Sequence, residues 1–210
     1  MMRGLTMKCF PGSRLLLAVA LGSALSACAP VLVGGTVMTA LVATDRRTSG
    51  AQLEDEGIEL RAQSRLREAF GDRFHVNITS YNRRVLITGE VPSAQDPQRV
   101  EQLVSRVENV KGVVNELAVL GNTTLTQRST DTLVTGRVRA GLVDAKDLYA
   151  SAFKVVTERG TTYLMGRVTQ READRATEVA RSTSGVQKVV RLFEIITEEE
   201  LKALMPKPAP

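Results

Sequence analysis

The apolar positions of this chain change their period in a fixed order, and they do so twice. Ile58, Ala62 and Leu66 recur at helical spacing with charges between them, which predicts an amphipathic helix over residues 54–70. Val76 to Ser80 then alternates at period two, Tyr81 to Arg83 makes a turn, and Arg84 to Val91 reads as a second strand. A second helix is predicted from Pro97 to Glu108 and a third strand from Val113 to Leu120. The pattern then restarts, with a helix over 131–142, strands over 153–158 and 161–168, a helix over 170–182 and a last strand over 187–197. Each half runs α-β-β-α-β. Helices laid over one face of a three-stranded sheet make a two-layer α+β domain, and the chain is expected to hold two in tandem.

The residues repeat along with the periodicity. Val85-Leu86-Ile87-Thr88-Gly89-Glu90-Val91 aligns with Thr162-Tyr163-Leu164-Met165-Gly166-Arg167-Val168, 77 positions later. Asp55-Glu56-Gly57-Ile58 matches Asp131-Thr132-Leu133-Val134 at an offset of 76, and Gly112-Val113-Val114 matches Gly185-Val186-Gln187 at 73. The four-residue change falls at Ser93 to Gln98, where Pro97 marks a loop of variable length. The expected boundaries are a first domain over 53–120, a linker over 121–129, a second domain over 130–197 and a tail over 198–210.

The first thirty residues follow a different logic. Arg3, Lys8 and Arg14 stand without an acidic residue, an apolar run follows from Leu15 to Leu25, and Leu25-Ser26-Ala27-Cys28 closes it. That is the layout of a secretory signal, residues 1–27, with an apolar run about half the ~20 residues needed to span a bilayer. The tetrad resembles the bacterial lipobox at all four positions. The resemblance implies cleavage before Cys28 and an N-acyl diacylglyceryl cysteine there, whose acyl chains, at about 0.8 kcal/mol per buried methylene, make release slow. Ala29, where lipoproteins retained in the inner membrane typically carry Asp, points to the outer membrane with the domains facing the periplasm. Residues 28–52 read as a lipidated tether, its Val, Ala, Gly and Thr stretch from Val31 to Thr44 too short and glycine-rich to span.

Cleavage changes what composition says. The net charge of +5 and pI of about 9.5 include three basic residues of the signal, so the mature chain carries 25 basic against 23 acidic side chains. Cys9 leaves with the signal and Cys28 carries lipid, so neither a disulfide nor a thiolate metal site is expected. His75 is the only histidine, there is no Trp, and no glycine-rich phosphate loop is present. Catalysis, a bound cofactor and a metal site are therefore not expected, and nucleic acid finds no aromatic platforms.

The strands closing in Gly89-Glu90-Val91 and Gly166-Arg167-Val168, and the leads Gly112-Val113 and Gly185-Val186 into the final strands, resemble the BON domain. With the lipobox and two copies, residues 53–197 resemble the dual-BON outer-membrane lipoproteins. That resemblance implies binding without chemistry: attachment to phospholipid membranes, anionic phospholipid in particular, and support of outer-membrane integrity. A departure is Leu133, where one lipoprotein of that kind carries a tryptophan.

Charge assigns an anionic ligand to the second copy. Residues 130–197 hold 11 basic and 8 acidic side chains, a balance of +3, whereas residues 54–120 hold 9 and 11, a balance of −2. On the helix from Asp131 to Leu142, Val134, Val138 and Leu142 should face the sheet, leaving Leu133, Gly136, Arg137 and Ala140 on an adjoining face with Arg139 near it. Such a face suits acyl chains under Leu133 and phosphate near Arg137 and Arg139, or Leu133 is a rim residue of the core. The same face also fits a protein partner in an envelope or secretion assembly. Gly89 and Gly166 are expected at a bend or close packing, Gly112 and Gly185 as helix C-caps, and His75 as a surface residue beside a turn. The runs Glu54-Asp55-Glu56 and Glu198-Glu199-Glu200 read as helix-start charges.

Overall fold

The computed structural model describes residues 45–71, 74–121 and 123–204. The signal peptide, Cys28, the tether as far as residue 44 and the last six residues lie outside the described part. The first domain comprises α1 (Ser49–Phe70), β1 (His75–Tyr81), β2 (Arg84–Val91), α2 (Asp96–Ser105) and β3 (Gly112–Val119). The second comprises α3 (Leu125–Asp144), a 3₁₀ turn, β4 (Phe153–Glu158), β5 (Thr161–Val168), α4 (Gln170–Ser182) and β6 (Lys188–Ile195), and α5 (Glu198–Leu204) closes the described chain. In each sheet the middle strand pairs antiparallel with the strand before it and parallel with the strand after the helix. The fold is thus α+β, two αββαβ domains in tandem.

Each domain owns a core. Ile58, Ala62 and Leu66 of α1 and Val100 and Val104 of α2 close over Val85, Ile87 and Val91. Val134, Val138 and Leu142 of α3 and Ala173, Ala176 and Ala180 of α4 close over Val155, Leu164 and Val168. The other faces of the sheets are turned toward each other. Tyr81, Leu86 and Val114 pack against Tyr163, Met165, Val190 and Leu192 in a third, shared cluster. Burial on both faces explains why β2 and β5 read as nearly continuous apolar runs instead of alternating.

Two glycines are fixed by close approach between strands. A Cβ at Gly89, where φ is +116°, would stand 1.9 Å from the His75 carbonyl oxygen, and one at Gly166 would stand 2.5 Å from that of Ala152. Gly112 is not a C-cap: α2 ends at Ser105, the left-handed residue is Asn109, and Gly112 begins β3 opposite Arg84. Glu54, Asp55 and Glu56 do not start a helix either, because α1 begins at Ser49 behind its cap Thr48. Asp55 is buried and accepts from Ser80 Oγ and from the backbone amides of Asn82 and Arg83 at 2.7–2.8 Å, which holds the β1–β2 turn. Asp131 does the same for the β4–β5 turn, accepting from the amides of Arg159 and Gly160.

The last described residues of the tether cross both domains. Arg46 is buried and makes two 2.7 Å bonds to Glu172 at the start of α4, while Arg47 binds Asp55 at 2.7 Å and lies 4.2 Å over the ring of Tyr81.

Candidate functional site: the outer face of helix α3

Helix α3 starts at Leu125, inside the stretch read as linker, because Thr124 caps it by accepting from the amide of Gln127. The six added residues change the surface. At 3.6 residues per turn, Leu125, Ser129, Leu133, Gly136, Ala140 and Val143 fall within an arc of about 80°, opposite the buried line of Asp131, Val134, Val138 and Leu142. Leu125, Leu133 and Val143 are 79, 62 and 69% exposed. Leu133 therefore stands clear of the core. Gly136 has nothing within 4 Å of where a Cβ would sit, so no contact within the described molecule requires its small size.

Cations flank the stripe. Arg137, to one side, donates to the Ser184 carbonyl at 3.4 Å, and Arg139, to the other, donates to the Val155 carbonyl at 3.2 Å. Neither forms an ion pair among the described residues. The five residues singled out in the sequence, Leu133, Gly136, Arg137, Arg139 and Ala140, all lie exposed on this helix. Leu125 and Val143, which extend the stripe at both ends, were missed because the predicted helix stopped short of them. The pattern Thr124-x-x-Gln127, a Ser/Thr-x-x-Glu/Gln signature, could have moved the start. Val143 offered no comparable signal.

His75 is placed differently from expectation. It is mostly shielded, and its Nδ1 lies 2.8 Å from Oε2 of the fully buried Glu90. Burial alone would push the Glu90 carboxyl up, but hydrogen bonds from His75 and Thr123 outweigh it and hold that carboxyl below the usual range. None of the described helices is long and apolar enough to cross a membrane.

Comparison with known proteins places these features in context. The BON domain family pattern matches residues 54–121 and again 130–197. The chain is 35% identical over 184 residues to the outer membrane lipoprotein DolP of Haemophilus influenzae, covering 86% of this chain and 95% of that one. It is 29% identical over 154 residues to a 21 kDa hemolysin of Actinobacillus pleuropneumoniae, covering 72% and 79% of the two chains. Among solved structures, CdsD, a structural protein of the type III secretion system of Chlamydia trachomatis, aligns with 75% of this chain and 99% of its own at 13% identity, with a TM-score of 0.27.

Proposed function

The chain belongs to the BON-domain family, and on that premise we propose that it is an outer-membrane lipoprotein, acylated on Cys28, whose second domain lays helix α3 on anionic phospholipid and so supports the integrity of the envelope. The observation that carries the reading is the outward stripe of α3: exposed Leu125, Leu133 and Val143, small residues between them, and Arg137 and Arg139 at its edges. Apolar side chains on such a face gain by entering the acyl boundary, and each arginine gains about 1 kcal/mol beside an anionic surface. The lipobox and the similarity to an outer membrane lipoprotein support the anchor and its membrane.

Flotation of the mature chain carrying Cys28→Ala, on vesicles with and without anionic lipid, tests the proposal. Binding should require anionic lipid, weaken as salt shortens the Debye length, and be lost in Leu133→Asp, where a carboxylate would have to enter the acyl region. Both side chains of the pair Arg137→Glu and Arg139→Glu are exposed, so that variant should fold and bind weakly. Equal binding to neutral vesicles, or unchanged binding by Leu133→Asp, would refute the reading and assign the face to a protein partner.

A further inference from the structure

Away from α3, the seam between the two domains gathers groups that the membrane reading leaves unused. His75 opens β1, and Glu90 lies opposite it in the β1–β2 register. Glu158 ends β4 of the second domain and accepts from Asn77 Nδ2 of the first at 2.9 Å. One imidazole nitrogen of His75 and one carboxylate oxygen from each glutamate lie within 4.8 Å of one another. Glu90 is 0% and Glu158 7% exposed.

A second observation concerns the hydrogen bonds of Glu90. Its Oε2 has His75 Nδ1 at 2.8 Å and accepts from the Thr123 amide at 3.2 Å and the Thr123 hydroxyl at 3.1 Å. Its Oε1 is buried with no hydrogen bond at all. Across from it, at 3.7 Å, stands Arg159 Nε, which is buried and has none either. Two buried polar atoms facing each other across a gap too wide for a hydrogen bond are rare and costly in native proteins.

We propose that His75, Glu90 and Glu158 form a site for one divalent transition-metal ion of the zinc type, which ties the first domain to the second. An imidazole nitrogen with two carboxylate oxygens is a borderline donor set that suits zinc better than calcium or magnesium, which take oxygen alone. Tetrahedral bonds of about 2.0–2.2 Å separate donors by roughly 3.4 Å, so the three side chains need close by about 1.5 Å at most, within reach of side-chain rotation. A cleft of about 540 Å³, lined by His75, Asn77, Arg128, Asp131, Arg139 and Glu158 among others, reaches His75 and Glu158 and leaves room there for a water as fourth ligand. Arg159, whose side chain is 30% exposed, can swing toward solvent when the ion replaces its charge.

The test is calorimetric titration of Zn²⁺ into untagged, chelator-treated mature chain carrying Cys28→Ala, with Ca²⁺ as control. One Zn²⁺ per chain should bind, Ca²⁺ should not, and the thermal midpoint should rise with Zn²⁺. Because His75 is the only histidine, its ring resonances in the NMR spectrum belong to this site alone and should move on saturation. His75→Ala and the nearly isosteric Glu158→Gln should each weaken binding by about 100-fold or more, and a far-UV spectrum like that of the parent shows that Glu158→Gln is folded. Absence of saturable one-to-one binding, an unmoved His75 ring, or full affinity in both variants would overturn the proposal.

Discussion

Removing the Arg46 side chain should cost this protein more stability than removing the partner it binds. Arg46 and Glu172 are only 2% and 1% exposed, and two parallel 2.7 Å bonds join them, with a third from Arg46 to the Arg167 carbonyl. Breaking a buried pair by deleting one member costs about 3–5 kcal/mol when the other charge stays buried. Glu172 must stay: it sits in the first turn of α4 and accepts from the Thr169 amide as part of a capping box. Arg46 need not, because it lies ahead of α1 and can turn its guanidinium into water. Arg46→Ala is therefore expected to cost about 3 kcal/mol. Glu172→Ala should lose about 1 kcal/mol for the cap and about as much again for the contact, near 2 kcal/mol together. The double variant should match Glu172→Ala alone, a coupling of roughly 3 kcal/mol. Urea unfolding followed by far-UV circular dichroism measures all three, with about 1.5 M expected between the midpoints of the parent and Arg46→Ala for an m-value near 2 kcal/mol/M. Arg46→Ala within about 0.5 kcal/mol of the parent, or losses that simply add, would show that Arg46 does not hold the buried position described.

Two further outcomes follow from the same packing. Gly89→Ala should prevent the first domain from folding, since its Cβ would fall 1.9 Å from a backbone oxygen at a φ of +116°, and loss of the cooperative urea transition reads it directly. Acid should also unfold the protein in a defined window: at Asp55 and Glu172 burial alone would raise the carboxyl, but bonds from Ser80, Arg83 and Arg47, and from Arg46 and Thr169, win and hold both below their unfolded values near 4. Their stabilisation is complete above about pH 5 and is lost as pH falls through the folded values, so the urea midpoint should drop on acidification and Asp55→Asn should flatten that slope.

Helical spacing in the helices, alternation in β1 and unbroken apolar runs in β2 and β5 carried the fold, and the repeat itself supplied a second copy of each reading. What escaped was carried by polar residues in apolar positions. Asp55 and Asp131 were aligned in the sequence, yet Asp55 was taken as a helix-start charge, because helix periodicity is read from apolar side chains and the turns before Ile58 contain few. The same gap hid the first turns of α3, whose first buried position is Asp131. The burial of both sheet faces was written in Tyr81, Leu86, Tyr163 and Met165, but an unbroken apolar strand does not say what covers its second face. His75 meets Glu90 across a strand pair and Glu158 across a domain seam, contacts with no local pattern at all.

The repeat also shows how the first helices of the two copies differ on their outer faces. At the offset of 76, Arg137 of α3 corresponds to Arg61 of α1, and Leu133 corresponds to Gly57. Arg61 folds back over Gly57, its Nη1 2.9 Å from where a Cβ would stand, and its guanidinium is 2.6 Å from Glu54. The first domain thus spends its arginine on its own carboxylate and covers with it the position from which the second domain projects a leucine. Arg137 donates to the Ser184 carbonyl and forms no ion pair among the described residues. The two outer faces are not opposites, since α1 leaves Leu53 and Leu60 71 and 69% exposed at the positions of Ser129 and Gly136 in α3. What differs most is one position, Leu133, apolar and exposed in α3 and a glycine beneath a paired arginine in α1.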